Sequence, residues 1–457
     1  MVFTRDLRIR DNPALVAAVH DGGPDGVVPL FVLDDAVLAT AHGRPNRLGF
    51  LLESLADLDA SLRGLGGALI VRRGSWVDEV LAVAGATDAL GIHLAEDHSS
   101  FARTRFDRLT AGAARAGIEV HVHPGITVVP PGELAPTTSR SRSENGASAG
   151  FDEYKVFTPY HRAWLAHRWR DVVATPSAVV VPDGVAPGSI PALAELTDGA
   201  RSPDVIEGGE SVALARLKAW AGRRLRTYEA DHDDLAGDRT SRISADLHLG
   251  CLSPLEVATR LRRRDGGGPF VRQLCWRDFY HQVLAARPDA AHADYRPRGD
   301  RWNVDDDELQ AWKDGRTGYP VVDAGMRQLR REGFVHNRAR MVVASFLVKD
   351  LYLDWRLGAA HFLDLLVDGD LANNQLNWQW VAGTGSDTNA HRVFNPLRQA
   401  ERFDPDGDYI RRYVPELDGL PAKEAHDPSP QVRAERGYPA PIVDHAEAVA
   451  GYRSRRA

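Results

Sequence analysis

Three stretches of this sequence set hydrogen-bonding heads beside hydroxyls or large flat rings, a pattern suited to a phosphorylated or planar molecule. Thr240-Ser241-Arg242-Ile243-Ser244 brings three hydroxyls and a guanidinium within five residues. Such a set can hold phosphate oxygens through charge-assisted hydrogen bonds, and the same residue types also serve as a helix N-cap with surface polar groups. Gln273, Trp276, Arg277 and Tyr280 recur at helical spacing and form one stripe. Gln and Arg are rarely buried without partners. The stripe therefore suits a cavity that stacks a flat group and bonds its edge, or else the aromatic margin of a core with solvated polar heads. In His336-Asn337-Arg338-Ala339-Arg340-Met341, Asn337 and Met341 share a helix face with Arg340 beside them. A buried Arg340 needs a carboxylate. Asp368 or Asp370 of Asp368-Gly369-Asp370, ahead of Asn373-Asn374, is the natural partner, whether in a binding site or in a structural ion pair. Trp378-Gln379-Trp380 follows, while Trp302 and Trp355 lie far away in sequence. Aromatic residues of helical domains are most often core.

Other chemistries find no support. There is no G-x-S-x-G, no H-E-x-x-H and no His–Cys pairing at metal spacing, so triad or zinc hydrolysis is not indicated and no metal is expected. Cys251 and Cys275 make neither a disulfide framework nor a zinc set. No G-x-G-x-x-G follows a strand and no P-loop occurs; Gly64 and Gly66–Gly67 read as a helix cap and turn.

The elements that must position these residues fall into two unlike halves. Val27–Leu33, Ala68–Arg72, Ala89–Leu94 and Ile118–His123 have the pattern of strands, and Asn46–Arg63, Trp76–Ala84 and Arg103–Ala116 that of amphipathic helices. This β-α-β-α order predicts an α/β doubly wound parallel sheet over 1–125 with its ligand site at the carboxyl ends of the strands. Residues 126–210, rich in Pro, Gly and Ser with a polar tract at Thr137–Gly150, predict a connector carrying one helical island at Tyr154–Arg170. Over 211–457 the pattern is all-α. Met341–Tyr352 and Ala359–Val367 are apolar nearly all round, as in buried helices. Nine of the ten tryptophans lie after residue 160.

The 457 residues are 43% hydrophobic and 26% charged, the balance of a globular protein. A net charge of −7 argues against nucleic-acid binding by bulk basicity and leaves room for a local basic patch. No apolar run reaches a membrane span and no secretory signal opens the chain, so a cytoplasmic protein is expected.

Taken together, the segments resemble the DNA photolyase/cryptochrome family, closest to the bacterial class I cyclobutane pyrimidine dimer photolyases. The resemblance is carried by Arg5-Asp6-Leu7-Arg8 with Asp11-Asn12-Pro13, Tyr154-Lys155-Val156-Phe157-Thr158-Pro159, the Thr240–Ser244 segment, Trp276–Tyr280 and Gly318-Tyr319-Pro320-Val321-Val322-Asp323. Asp368 through Trp380 and Phe394-Asn395-Pro396 complete it. It implies an antenna domain followed by a helical domain holding FAD, active as FADH⁻. On this resemblance Tyr228 and Thr240, Ser241, Arg242, Ile243 and Ser244 cradle the FAD phosphates and ribityl chain, with Gln273, Arg277, Asn337 and Gly369 also lining the cofactor. Arg340 pairs with Asp368 by the flavin, Asp370 lies near, and Asn374 faces its N5. Trp302, Trp355 and Trp378 carry an electron inward. The implied reaction is blue-light electron donation to a flipped-out pyrimidine dimer in UV-damaged DNA by a monomeric enzyme. Gln273, Trp276, Arg277, Tyr280, Asn337, Arg338, Met341, Trp380 and Gln399 would meet the dimer or its strand. Arg262 to Arg264, Arg272, Arg277 and Arg398 would meet phosphates.

Departures narrow the expectation. Gln273 stands where dimer photolyases have Glu, as in (6-4) photolyases and animal cryptochromes, and Gln has no proton to give. Asn337 and Met341 replace the His pair of the (6-4) enzymes, and Asn374 matches photolyases. Dimer repair is thus expected, with a cryptochrome-like photoreceptor or (6-4) repair as the alternatives. Phe101-Ala102 stand where folate binders have Asn-Glu, while Asp34 and Arg47 fit 8-hydroxy-5-deazaflavin. That deazaflavin is the expected antenna, and methenyltetrahydrofolate the alternative.

Overall fold

The computed structural model describes residues 1–136, 151–387, 389 and 391–456; the tract Thr137–Gly150 lies outside the described residues. Strands β1 (Val2–Phe3), β2 (Leu30–Asp34), β3 (Ile70–Gly74), β4 (Gly91–Ala95) and β5 (Glu119–His123) form one parallel sheet in the order β3-β2-β1-β4-β5. The reversal at the central β1 is the doubly wound arrangement. Each predicted strand starts one to three residues late, because the first residues of the apolar runs bond elsewhere. The Val27 N–H, for example, donates to the Val180 carbonyl in the connector.

Side chains alternate across this sheet with the strand period of two. Phe3, Phe31, Leu33 and Val71 belong to the core with helices α1 (Pro13–Gly22) and α2 (Pro45–Gly64). Val2, Leu30, Val32, Ile70, Ile92 and Leu94 face α3 (Trp76–Ala86) and α4 (Ser100–Arg115). The first core continues without a break into the helical half, through Tyr228, Ile243, Phe270 and Phe279.

The connector straps the two halves together. Helix α5 (Phe157–Ala166) falls inside the predicted island and buries Phe157, Tyr160 and Trp164. The Trp164 indole donates to Asp278 at 2.9 Å and the Tyr154 N–H to Gln282 at 2.9 Å. Both acceptors lie on α6 (Gly267–Ala286), which carries the Gln273–Tyr280 stripe.

Four more helices carry further site residues: α7 (Asn337–Ser345), α8 (Trp355–Leu365), α9 (Leu371–Ala382) and α10 (Pro396–Phe403). The apolar run Met341–Tyr352, expected as one helix, leaves α7 at Ser345 for a π-helical turn, Phe346–Asp350, and Tyr352 takes a φ of 53°. Every residue of that turn is buried, the charged Lys349 and Asp350 included, so burial does not distinguish α from π geometry. No helix among the described residues is long and apolar enough to cross a membrane.

The loop after β1 clasps the helical half. Arg8 donates to the Gly250 and Gly125 carbonyls at 3.0 Å each, and the Leu7 N–H to the Leu249 carbonyl at 3.2 Å. Gly250, at φ 73°, closes the short helix Ser244–Leu249. A Cβ there would stand 2.0 Å from the Arg5 carbonyl oxygen, so the approach requires glycine.

Candidate functional site

Of the two carboxylates offered to Arg340, the structure uses Asp368. Arg340 Nη2 lies 2.8 and 3.1 Å from the two Asp368 oxygens, and Nε donates to the Val335 carbonyl at 2.8 Å. Asp370 has a separate set of partners. One oxygen caps α9, accepting from the Asn373 N–H at 2.9 Å and the Asn373 side chain at 2.7 Å. The other accepts from Arg5 Nη2 at 2.5 Å and lies 3.4 Å from His281 Nε2 and 3.6 Å from His248 Nδ1. Burial lowers the His281 imidazole to about 4, while His281 and Arg5 beside Asp370 both favour its charged form. Despite its burial, Asp370 is held well below the usual carboxylate range.

The N-cap alternative for Thr240–Ser244 is not what the chain adopts. Ile243 occupies the N-cap position of the helix Ser244–Leu249 and makes no side-chain cap. The Thr240 hydroxyl is buried with no hydrogen-bond partner. Arg242, at φ 52°, is already spent on Asp238 and Glu332, at 2.8 and 2.6 Å. Beside this loop Trp220, Tyr228 and Phe270 form an aromatic box, and the Trp220 indole donates to the Arg239 carbonyl at 2.8 Å. An orphaned buried hydroxyl at an aromatic wall fits the seat of a nucleotide cofactor.

Asn374 is buried on α9, its side-chain amide donating to the Ala359 carbonyl and to Gln375 at 3.0 Å each. One turn on, Trp378 packs edge-on to Phe362 and Trp312. Trp355 is fully buried, its indole donating to Asp294 at 2.8 Å. The half-buried Trp302 lies against Tyr352, ring centroids 4.9 Å apart. All three tryptophans thus belong to or pack against one core, which their sequence separation did not reveal.

The remaining predicted residues divide by exposure. Gln273 and Asn337 are exposed, Trp276, Arg338, Met341, Trp380 and Gln399 half-buried, and Tyr280 buried. Asn337 Nδ2 lies 4.0 Å from Met341 Sδ. Arg338 pairs with Asp233 at 2.6 Å, Arg392 lies over the Trp380 ring, and the Gln399 side-chain carbonyl is buried without a partner. Arg277 corrects the expectation of a DNA contact. It is 8% exposed and bonded to the Ile126 and Leu247 carbonyls, out of reach of a phosphate.

Arg47 is also otherwise engaged. Its three guanidinium nitrogens meet the His42, Ala41 and Leu366 carbonyls, strapping α2 to the loop before α9. A Cβ on Gly369 would stand 2.8 Å from Arg47 Nη1, so the glycine admits that strap. Asp34, at the end of β2, accepts from the Ala36 N–H and pairs with Arg105 at 3.3 Å; Arg105 in turn lies 4.1 Å over Trp76. Among the described residues no group of three or more His, Cys, Asp or Glu is disposed to hold a metal ion.

Arg5, His248, His281 and Phe157 were given no role from sequence. Arg5 stood in a recognised motif, yet its partner Asp370 is 365 residues away, a separation that leaves no local pattern.

The chain is similar to known proteins along its whole length. A family model described as DNA photolyase matches residues 1–179, and one described as the FAD binding domain of DNA photolyase matches residues 270–456. A Streptomyces griseus protein named deoxyribodipyrimidine photo-lyase is 51% identical over 100% of this chain and 98% of its own length. A class III photolyase from Agrobacterium tumefaciens superposes with a TM-score of 0.88 at 32% identity, covering 99% of this chain and 96% of its own. A Synechocystis cryptochrome gives a TM-score of 0.89 at 28% identity, covering 99% and 98%.

Proposed function

Because the chain belongs to the DNA photolyase family, we propose that it is a light-driven repair enzyme for UV-damaged DNA with FAD as its cofactor. Reduced FAD, when bound, supplies the electron that blue light drives into the cyclobutane ring of a pyrimidine dimer, and takes it back once the ring has opened. The observation that carries the assignment within the site is the Arg340–Asp368 pair, with Asn374 one helix turn from Trp378.

The residue roles are those the family resemblance implies, and their surroundings support them. The Thr240 hydroxyl, with Ser241, Ser244 and the backbone of the positive-φ turn at Arg242, serves the phosphates and ribityl chain of FAD against the Tyr228 wall. Arg340, neutralised by Asp368, presents a polar but balanced edge to the flavin ring. Asn374, whose amide N–H groups are held by Ala359 and Gln375, would leave its side-chain carbonyl for the N5 side of the flavin, while Trp302, Trp355 and Trp378 would carry an electron inward from the surface. Trp276 and Trp380 stack the dimer once it has left the duplex, a step that costs a few kcal/mol and least for a damaged pair. Gln273, Asn337, Met341 and the orphaned Gln399 carbonyl bond its edges.

Within the family we place the chain with the class I bacterial enzymes, on the motifs from Arg5-Asp6-Leu7-Arg8 to Phe394-Asn395-Pro396. We divide it into a sheet domain (1–125), a connector (126–210) and a catalytic helical domain (211–457). For the antenna we propose 8-hydroxy-5-deazaflavin over methenyltetrahydrofolate, near Asp34 and the Arg105–Trp76 pair; absorption of chromophore extracted from the holoprotein decides between them.

The test is blue-light repair of oligonucleotides holding one defined thymine cyclobutane dimer by the photoreduced protein, beside a (6-4) photoproduct. Restoration of the dimer substrate alone is expected. Failure on both with flavin photoreduction intact would make the chain a photoreceptor.

A further inference from the structure

We infer that Phe157, on the connector helix α5, is a positioning residue that fixes the plane of Trp276 and thereby sets the preference for a dimer over undamaged DNA. The inference rests on the reading of Trp276 as a wall of the dimer pocket.

The two rings are parallel to within 4°, with centroids 3.6 Å apart, so Phe157 covers one whole face of the indole. Phe157 has little freedom of its own. It is 6% exposed, it is the first residue of α5, and its ring stands edge-on to Phe279 at 5.8 Å. On α5 one turn later His161 stacks with it at 5.4 Å and 15°, and on α6 one turn before Trp276 the Arg272 guanidinium lies 5.5 Å from its centroid. Trp276 is half-buried, and its other ring neighbour in the stripe, Tyr280, is tilted by 32° at 5.7 Å.

Face-to-face stacking is less favourable for a ring pair than an offset or edge-on arrangement. Its presence here follows from the two helices, since α5 is anchored to α6 independently through Trp164–Asp278 and Tyr154–Gln282. With one face of the indole covered and its tilt fixed, only the remaining face and edge are left for a base, in a single plane. A flipped dimer meets a pre-set platform, and the ordering cost of the Trp276 side chain is met in folding rather than in binding. Undamaged duplex is held chiefly through its phosphates and does not use that platform.

The experiment measures, on the flavin-loaded full chain, affinity for a duplex holding one thymine dimer and for its undamaged counterpart. Variants F157L, which fills the volume without a ring plane, and F157Y, which keeps the plane, are compared with wild type and W276A. F157L is expected to weaken dimer binding about tenfold and undamaged binding less than about twofold. It should raise KM with kcat at saturating substrate and light unchanged, and F157Y should restore the wild-type ratio. A wild-type dimer-to-undamaged ratio in F157L, alongside a collapsed ratio in W276A, overturns the role of Phe157 alone. An unchanged ratio in W276A overturns the reading of the Trp276 wall and the role of Phe157 with it. Equal loss on both DNAs in F157L, not restored by F157Y, marks a general folding defect and also overturns the proposal.

Discussion

Gln273 is the residue whose chemistry departs most from its surroundings. It is exposed on α6, beside the half-buried Trp276, and its amide can donate a hydrogen bond without releasing a proton. Because the position is exposed, Q273E introduces a carboxyl without burying a charge. The variant is expected to raise the repair yield per absorbed photon, by supplying a protonatable partner to the reduced dimer. Its KM should stay within about tenfold of wild type, since one hydrogen bond is worth only about 0.5–1.5 kcal/mol net. Steady illumination with a calibrated photon count on a single-dimer substrate measures both quantities; a yield at or below wild type would show that Gln273 is already optimal. At this scale the Arg340–carboxylate pairing was legible, because a guanidinium among apolar helices has to be neutralised. The choice of Asp368 over Asp370 was open in the residue pattern and came only from the family resemblance, since it depends on Arg5 claiming Asp370 from across the molecule.

Helices α8 and α9 meet at a point set by one missing methyl group. A Cβ on Gly358 would lie 2.3 Å from Trp378 Cη2 and 2.6 Å from Leu347 Cδ2, so the indole fills the space a larger residue would take. G358A is therefore expected to destabilise the protein by about 1–3 kcal/mol, the usual cost of overpacking a core. It should also slow photoreduction by displacing Trp378, and thermal unfolding with flash photolysis of the same sample checks both effects. The strands and most helices were readable because burial imposes periods of 2 and 3.6 on the sequence. The π-turn Phe346–Asp350 was not, since all five of its residues are buried and no exposed face reveals its period. The grouping of Trp302, Trp355 and Trp378 came from the family resemblance and not from spacing, because they meet one core only when α8, α9 and the chain around Trp302 are packed.

Over the whole molecule, a net charge of −7 coexists with a few exposed cations near the proposed DNA face. Arg277 is buried, which leaves Arg262, Arg263, Arg264, Arg272 and Arg398 exposed. If all five meet phosphates, log affinity for undamaged duplex falls against log salt with a slope of roughly −4.5, and a steeper slope would mean that other cations take part. A salt titration by fluorescence anisotropy measures it. The clasp from β1 to Asp370 also bears on how the chain is made. Arg5 leaves the ribosome 365 residues before its partner, a wait of roughly 20–70 s at bacterial synthesis rates of about 5–20 residues per second. Throughout that interval the central strand can pair with β2 and β4 while its guanidinium lacks the carboxylate it will finally hold. The nascent sheet can thus acquire its order early, but the seam at Asp370 closes only once synthesis has passed residue 370 of the 457.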